Sequence, residues 1–308
     1  MRRADADPIN GVLALDKPAA ISSNAALQRA RRLLGARKGG HTGTLDPLAT
    51  GLLPLTFGEA TKFSADLLDA DKVYEAELVL GISTASGDEE GEILSRREVC
   101  VTDDQVRTVL QSFVGEQRQV PPMFSALKHN GRPLYELARQ GIEIEREARQ
   151  IVIRSVDCLA FAGDRLSIRV ACSKGTYIRV LAHDIGEHLG CGAHLRLLRR
   201  TGVGPLMLSQ AFNLDQLESM TLEARRAALF PVDYLLQALP RLELAPDLGR
   251  RFVQGQRLIL PPAVVALSPS DTSGNGRRVR VYDHDGELLG VARHTQHRLE
   301  PERLLASV

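Results

Sequence analysis

The chain has 308 residues, 44% of them hydrophobic and 25% charged, enough for one large domain plus a small one, or two of middling size. That composition excludes a disordered chain, and no stretch reaches the ~18 apolar residues of a transmembrane helix. The net charge of +1 neither demands nor forbids a nucleic-acid partner, so the placement of charge carries the information.

The first ten residues are polar, with charges of both signs, and lack the apolar run of a signal peptide. Residues 11–15 read as a short strand stopped by Asp16-Lys17-Pro18. Ser22 or Ser23 can cap a helix that places Leu27, Ala30, Leu33 and Leu34 on one face. The other face carries Arg29, Arg31 and Arg32, followed by Arg37 and Lys38, a basic stripe with no acid in it. A loop rich in glycine and hydroxyls, residues 39–47, gives way to the apolar run 52–57. Residues 72–80 alternate as a strand, with Val73, Glu75, Glu77 and Val79 on one side and Tyr74, Ala76, Leu78 and Leu80 on the other. Residues 81–91 read as a polar loop. Thr102 and Gln105 form a capping-box start for a helix running to about Phe113.

Residues 121–150 begin Pro-Pro-Met-Phe-Ser and then interleave charges of both signs, an excursion from the main fold that is partly helical around residues 134–139. Strands follow at 151–161 and 166–172, joined by Ala162-Gly163-Asp164. A helix over 176–189 turns Ile178, Leu181, Ile185 and Leu189 inward, and Gly190 and Gly192 end it. After about Leu239, prolines punctuate short strand-like pieces. A hairpin is expected at 279–282 and 288–292 around Asp283-His284-Asp285-Gly286, and a Ser/Gly/Asp loop at 268–276. From Arg241 onward there are ten arginines, no lysine and eight acids, which reads as a separate small β domain. Cys100, Cys158, Cys172 and Cys191 show neither C-x-x-C spacing nor a Cys/His cluster. They read as free thiols in a reducing cytoplasm, with no zinc site.

The informative stretch is GHTGTLDPLATGLLP, residues 40–54. Asp46 precedes a proline, which biases its backbone to extended conformations, and an apolar run that must be buried follows. A carboxylate on such a loop suits a site residue, but Asp-Pro is also a common turn, and these residues alone favour the turn. Burial would raise the pKa of Asp46 unless a cation lay near.

Together with GVLALDKPAAISSN upstream, and KVYEAELVLG and CSKGTYIRVLAHDIGEHLGCGAHLRLLRRTGVG downstream, this stretch resembles the TruB family of tRNA pseudouridine-55 synthases. The four segments stand in the family's order and span most of residues 11–204. The resemblance implies an α+β fold: a catalytic domain over 1–240 with a mixed, largely antiparallel sheet flanked by helices, a thumb-like insertion at 121–150, and a small PUA-like β domain over 241–308 that binds RNA. It implies that Asp46 is the catalytic carboxylate, assisting cleavage of the bond between C1′ of the ribose and N1 of uracil. Arg179 would pair with Asp46 and keep it ionised. Tyr74 would stack on the target base and help remove the proton from C5, while Tyr177 and Leu198 line the pocket. His41 would contact the flipped nucleotide or fill the space it leaves, and Lys17, with Pro18, would support the active-site loop from the substrate-binding group of residues.

The resemblance further implies that no metal or cofactor is needed, because the carboxylate supplies the covalent chemistry. The partner would be the T-arm stem-loop of tRNA, met by a monomeric, cytoplasmic enzyme with no membrane association and no obligatory protein partner. The Arg29–Lys38 stripe and the cluster Arg196, Arg199 and Arg200 would hold phosphates. Three other classes compete. A non-catalytic RNA-folding protein or guide-RNA particle subunit would also suit the basic stripe. A nucleotide-phosphate enzyme would need a G-x-x-x-x-G-K-[ST] loop, which is absent, and a glycosidase would need a second carboxylate.

Overall fold

The computed structural model describes residues 9–260, 276–295 and 297–306. In chain order the first part comprises β1 (Gly11–Lys17), α1 (Ser23–Leu34), β2 (Gly39–His41), β3 (Thr50–Phe57), α2 (Ser64–Leu68), β4 (Lys72–Leu80), β5 (Ile82–Thr84), β6 (Ile93–Arg96), α3 (Asp103–Ser112) and β7 (Gly115–Gln119). There follow β8 (Lys128–His129), β9 (Arg132–Pro133), α4 (Leu134–Ala138), β10 (Arg149–Ala162), β11 (Arg165–Cys172), α5 (Ile178–His188), β12 (Ala193–Val203), β13 (Leu206–Met207), α6 (Leu214–Ser219) and α7 (Leu222–Ala227). The last part holds β14 (Arg241–Glu243), α8 (Pro246–Val253), β15 (Leu258–Ile259), β16 (Arg277–Tyr282), β17 (Leu288–Thr295) and β18 (Arg298–Leu304).

The main sheet runs β1-β3-β12-β4-β11-β10-β7, with β2 added to β3 and β13 to β12. The β3–β12 pair is parallel and the other pairs are antiparallel, so the sheet is mixed and largely antiparallel, as expected. Its two halves are buried differently, and the sequence of each strand follows. On β1 and β3, Leu13, Leu15, Leu53, Leu55 and Phe57 join the core beneath α1 and α5, while Val12, Ala14 and Leu52 join a second cluster on the opposite face. Buried on both faces, these strands are nearly all apolar. On β4 the alternate residues Tyr74, Ala76, Leu78 and Leu80 turn to the first core. The other face of that region carries cross-strand ion pairs, Glu75 with Arg169 and Glu77 with Arg165 and Arg196.

Helix α1 is capped by the Ser22 side chain on the Ala25 N–H and closes on Gly35 in the left-handed conformation. It buries Ala26, Leu27, Ala30 and Leu34 and keeps Arg32 exposed, with Arg37 and Lys38 exposed just beyond. Helix α3 carries the expected capping box between Thr102 and Gln105. Four details differ from the sequence reading. The first strand continues through Asp16 and Lys17, because β3 pairs with it to the end. Residues 81–91 are not simply a loop, since β5 within them pairs with β6. Helix α5 starts at Ile178 with Tyr177 at its N-cap rather than at Thr176. The charged excursion at 121–150 holds the helix expected around 134–139, as α4, but a hairpin, β8–β9, precedes it.

The second sheet runs β14-β16-β17-β18-β15 around its own small core of Leu242, Phe252, Val279, Val281, Ala292 and Leu299. The expected hairpin is β16–β17. Val291 reaches out of this sheet into the second cluster of the main sheet, beside Leu235 and Leu236. Arg278 pairs with Asp66 at 2.5 Å, the Tyr282 hydroxyl donates to Asp233 at 2.8 Å, and the Lys62 ammonium donates to the Leu304 carbonyl at 2.8 Å. Of the expected Ser/Gly/Asp loop at 268–276, only Gly276 lies within the described residues.

Candidate active site

The site forms where the loop between β2 and β3 meets the N-terminus of α5. The loop backbone is held on both sides of Asp46. The buried Ser23 hydroxyl accepts from the Leu45 N–H at 2.8 Å and donates to the Leu45 carbonyl at 3.0 Å. Beyond Asp46, the Pro47 carbonyl accepts from the Ala20 N–H at 2.9 Å and from the Lys17 ammonium at 3.4 Å. With both neighbours fixed, the Asp46 side chain projects between them and remains 38% exposed, open to a ligand.

Lys17 is fully buried, and its ammonium also donates to the carbonyls of Pro18 and Ile21, each at 2.9 Å. Burial lowers its pKa to about 8, the Asp46 carboxylate raises it and the Arg200 guanidinium lowers it further. Lys17 therefore clamps the loop from below. The side chain has no exposed surface, and its bonds run to the loop that the resemblance expects it to support.

Arg179 sits in the first turn of α5, where the helix dipole disfavours a cation. Its surroundings overcome that. The side chain is 5% exposed, and Nη2 lies 3.0 Å from Asp46 Oδ2. Nη1 lies 3.6 Å from Oδ2 of the buried Asp88, and the guanidinium also donates to the Ser86 carbonyl at 3.2 Å and the Phe124 carbonyl at 2.6 Å. A solvated charge on a helix face is thereby excluded. Asp88 itself is held by the Ser86 hydroxyl and by the Glu90 N–H. Sequence reasoning missed Asp88, since nothing in a polar loop marks which acid will fold under a helix; the Ser86-Gly87-Asp88 turn signal is the only hint.

Tyr74 is buried on β4, and burial raises its pKa, an effect that Arg200 opposes. Leu198 lies opposite Ala76 on β12, next to Tyr74 on the same face. Tyr177 is half-buried, with its N–H and carbonyl both held by the amide of the buried Gln119, at 2.8 and 3.1 Å. Gln119 was likewise not singled out from sequence. Burial and then Arg200 lower the pKa of the half-buried His41, which favours the neutral imidazole; its Nδ1 is buried without a hydrogen-bond partner. Asp46, Arg179, Tyr74, Tyr177, Leu198, His41 and Lys17 thus come from β1, the β2–β3 region, β4, α5 and β12.

The cluster Arg196, Arg199 and Arg200 does not present three free cations. Arg196 pairs with Glu77 at 2.6 Å and Arg199 with Asp16 at 2.7 Å. Arg200 is 1% exposed and faces the interior, so its expected role as a phosphate contact is corrected. Arg29 of the basic stripe pairs with Glu218 at 2.8 Å. Among the described residues one triad could offer ligands to a metal, Asp283, His284 and Asp285, on the hairpin turn of the second sheet. No helix among the described residues is long and apolar enough to cross a membrane.

Three family models match consecutive parts of the chain: TruB family pseudouridylate synthase (N terminal domain) over residues 31–178, tRNA pseudouridylate synthase B C-terminal domain over 179–237, and pseudouridine synthase II TruB, C-terminal over 240–305. A protein of Burkholderia mallei (strain NCTC 10247) named tRNA pseudouridine synthase B is 56% identical over 299 residues, covering 97% of this chain and 98% of that protein. One of the same name from Dechloromonas aromatica (strain RCB) is 57% identical over 283 residues, covering 92% and 91%. A chain in the crystal structure of a Cbf5-Nop10-Gar1 complex is similar in fold, with a TM-score of 0.72 and 26% identity, covering 96% of this chain and 84% of that one. Identity above half over nearly the whole length, with family models matching in register from one end of the fold to the other, leads to one conclusion: this chain belongs to the TruB family of pseudouridylate synthases.

Proposed function

We propose that this chain is a tRNA pseudouridine synthase that isomerises the uridine of the T-loop, position 55, with Asp46 as its catalytic carboxylate. The observation that carries the reading is the pair between the open Asp46 carboxylate and the buried Arg179, 3.0 Å apart, on a loop whose backbone is fixed on both sides. A carboxylate so placed presents a nucleophilic oxygen, oriented by the guanidinium, without a metal or a cofactor.

The uridine must first leave its stack, which costs a few kcal/mol, and stacking on Tyr74 offsets ~1–3 kcal/mol of it. Asp46 then assists departure of uracil from C1′, with the bonding pair passing to N1. The base turns and C5 attacks C1′. The C5 proton leaves toward Tyr74, and N1 gains a proton, so the product is an isomer and no redox partner enters. His41, Tyr177 and Leu198 shape the pocket around the base, and Lys17 keeps the loop in place beneath it. The exposed Arg32, Arg37 and Lys38, the excursion at 121–150 as a thumb, and the 241–308 region as a PUA-like domain together grip the folded RNA by its backbone and shape. The enzyme works as a monomer in the cytoplasm, without a protein partner.

The test is tritium release from a T-arm stem-loop labelled at C5 of uridine, with binding measured alongside. Wild type is expected to release tritium without added cofactor. Asp46→Asn is expected to bind within about threefold of wild type and to lose at least ~1000-fold in rate. Binding by wild type without release, on full-length tRNA as well, would instead favour an RNA-folding protein or a guide-particle subunit.

A further inference from the structure

Arg200 is the largest fully buried side chain among the described residues. On β12 it stands opposite Gly51 of β3 on one side and Tyr74 of β4 on the other. Gly51 permits this approach: it has φ +97°, and a Cβ there would lie 2.3 Å from the Arg200 carbonyl oxygen. The guanidinium Nε donates to the Leu52 carbonyl at 2.8 Å and Nη2 to the Gly43 carbonyl at 3.1 Å. It therefore joins the strand after the catalytic loop to the stretch before it. Tyr74, directly across from Arg200 in the register of β4 and β12, is the side chain next to this guanidinium on the strand that borders the site.

No carboxylate pairs with Arg200 among the described residues, since Asp46 is engaged by Arg179. A buried cation held only by neutral oxygens is costly, and an apolar side chain of similar volume would avoid that cost. Packing alone does not explain it. Its field is felt across the floor of the site, where it lowers the pKa of Lys17, His41 and Lys72. The charged and titratable groups that act on Tyr74 are Arg200, Cys172 and Asp46, with Lys72 beside Cys172. Of these Arg200 is the one that favours negative charge on the phenol oxygen.

The chemistry at C5 needs such a group. After C5 has bonded to C1′, the C5–H pair must re-form the C5–C6 double bond, and the former N1–C6 π pair moves onto N1. The proton from C5 goes to a base and is then given to N1, so the base is regenerated. We propose that Arg200 is a positioning residue for this transfer: it orients the Tyr74 side chain and stabilises its phenolate form, which accepts the C5 proton and, as the phenol, gives a proton to N1, so that the phenolate is regenerated. The inference rests on the role assigned to Tyr74 above.

A double-mutant cycle tests it, with single-turnover tritium release measured for Arg200→Gln, Arg200→Lys, Tyr74→Phe and both double variants. Arg200→Gln is expected to slow release by about 30-fold or more in the wild-type background and by less than about threefold in the Tyr74→Phe background, with stem-loop affinity changed less than about threefold throughout. The rate of wild type should rise with pH along a limb that Arg200→Gln displaces upward and Tyr74→Phe abolishes. If Arg200→Gln does not fold, Arg200→Lys carries the same comparison, because it keeps a cation in the site while losing the fork of donors. Effects that multiply in the double variants, or a limb that does not move, overturn the proposal while leaving Tyr74 in place. Wild-type rates for Tyr74→Phe would instead remove the role of Tyr74, and the Arg200 proposal with it.

Discussion

At the scale of single residues, the site is an arrangement of buried cations around one open carboxylate. Arg179 uses both Nη atoms, on two carboxylates and two carbonyls, a pattern that a point charge cannot reproduce. Arg179→Lys is accordingly expected to lower the rate of tritium release by about 10- to 100-fold, with stem-loop affinity nearly unchanged. Lys72 shows what burial of a cation does to stability. Its ammonium donates to the Leu67, Leu68 and Ala70 carbonyls, and burial lowers its pKa from 10.5 to about 8. Between about pH 8 and 10.5 the folded chain has released a proton that the unfolded chain still binds, so this group makes stability rise with pH across that window. Lys72→Met should reduce the pH slope of the unfolding free energy there by up to one proton, as read from urea melts. Lys17, also lowered to about 8, continues to contribute its own part.

At the scale of elements, α1 does two jobs. Its apolar face closes the core, and its first residue, Ser23, fixes the catalytic loop by pairing with both the N–H and the carbonyl of Leu45. Removing that hydroxyl leaves two buried backbone groups without partners. Ser23→Ala is expected to cost about 1–3 kcal/mol in urea unfolding and to slow tritium release, because Asp46 is the next residue along. A stability loss with an unchanged rate would show that the loop holds its geometry without this anchor. The helix itself, its cap and its apolar face were legible in the sequence, because they depend on neighbours in the chain. That Ser23 would turn inward to Leu45, 22 residues away, was not, since a Ser-Ser pair before a helix reads the same whichever hydroxyl caps it.

For the molecule as a whole, the second sheet is joined to the first by an apolar contact and a polar rim. Val291 packs in the cluster of Leu235 and Leu236, and Arg278–Asp66 and Tyr282–Asp233 surround it. Val291→Asp would place a carboxylate in that cluster and is expected to cost about 3–5 kcal/mol, lowering the melting temperature of the chain as one transition. Two transitions, the first sheet's unmoved, would show that the sheets do not stabilise one another.

The sequence by itself determined the helices, strand alternation, caps and hairpin, because these follow from periods of two and 3.6 and from turn chemistry between near neighbours. It also held the motif around Asp46 whose resemblance named the family. Only the tertiary structure decided which charges meet. Arg200 was read as a phosphate contact and is buried; Asp88 was read as part of a polar loop and lies behind Arg179; Lys17, expected to support the loop, lies buried beneath it. A charged side chain on a strand or loop has no periodic signature that tells solvent from site. Its partner comes from a distant segment brought near by the sheet, and burial, set by the packing of other elements, decides whether its charge meets solvent or a partner.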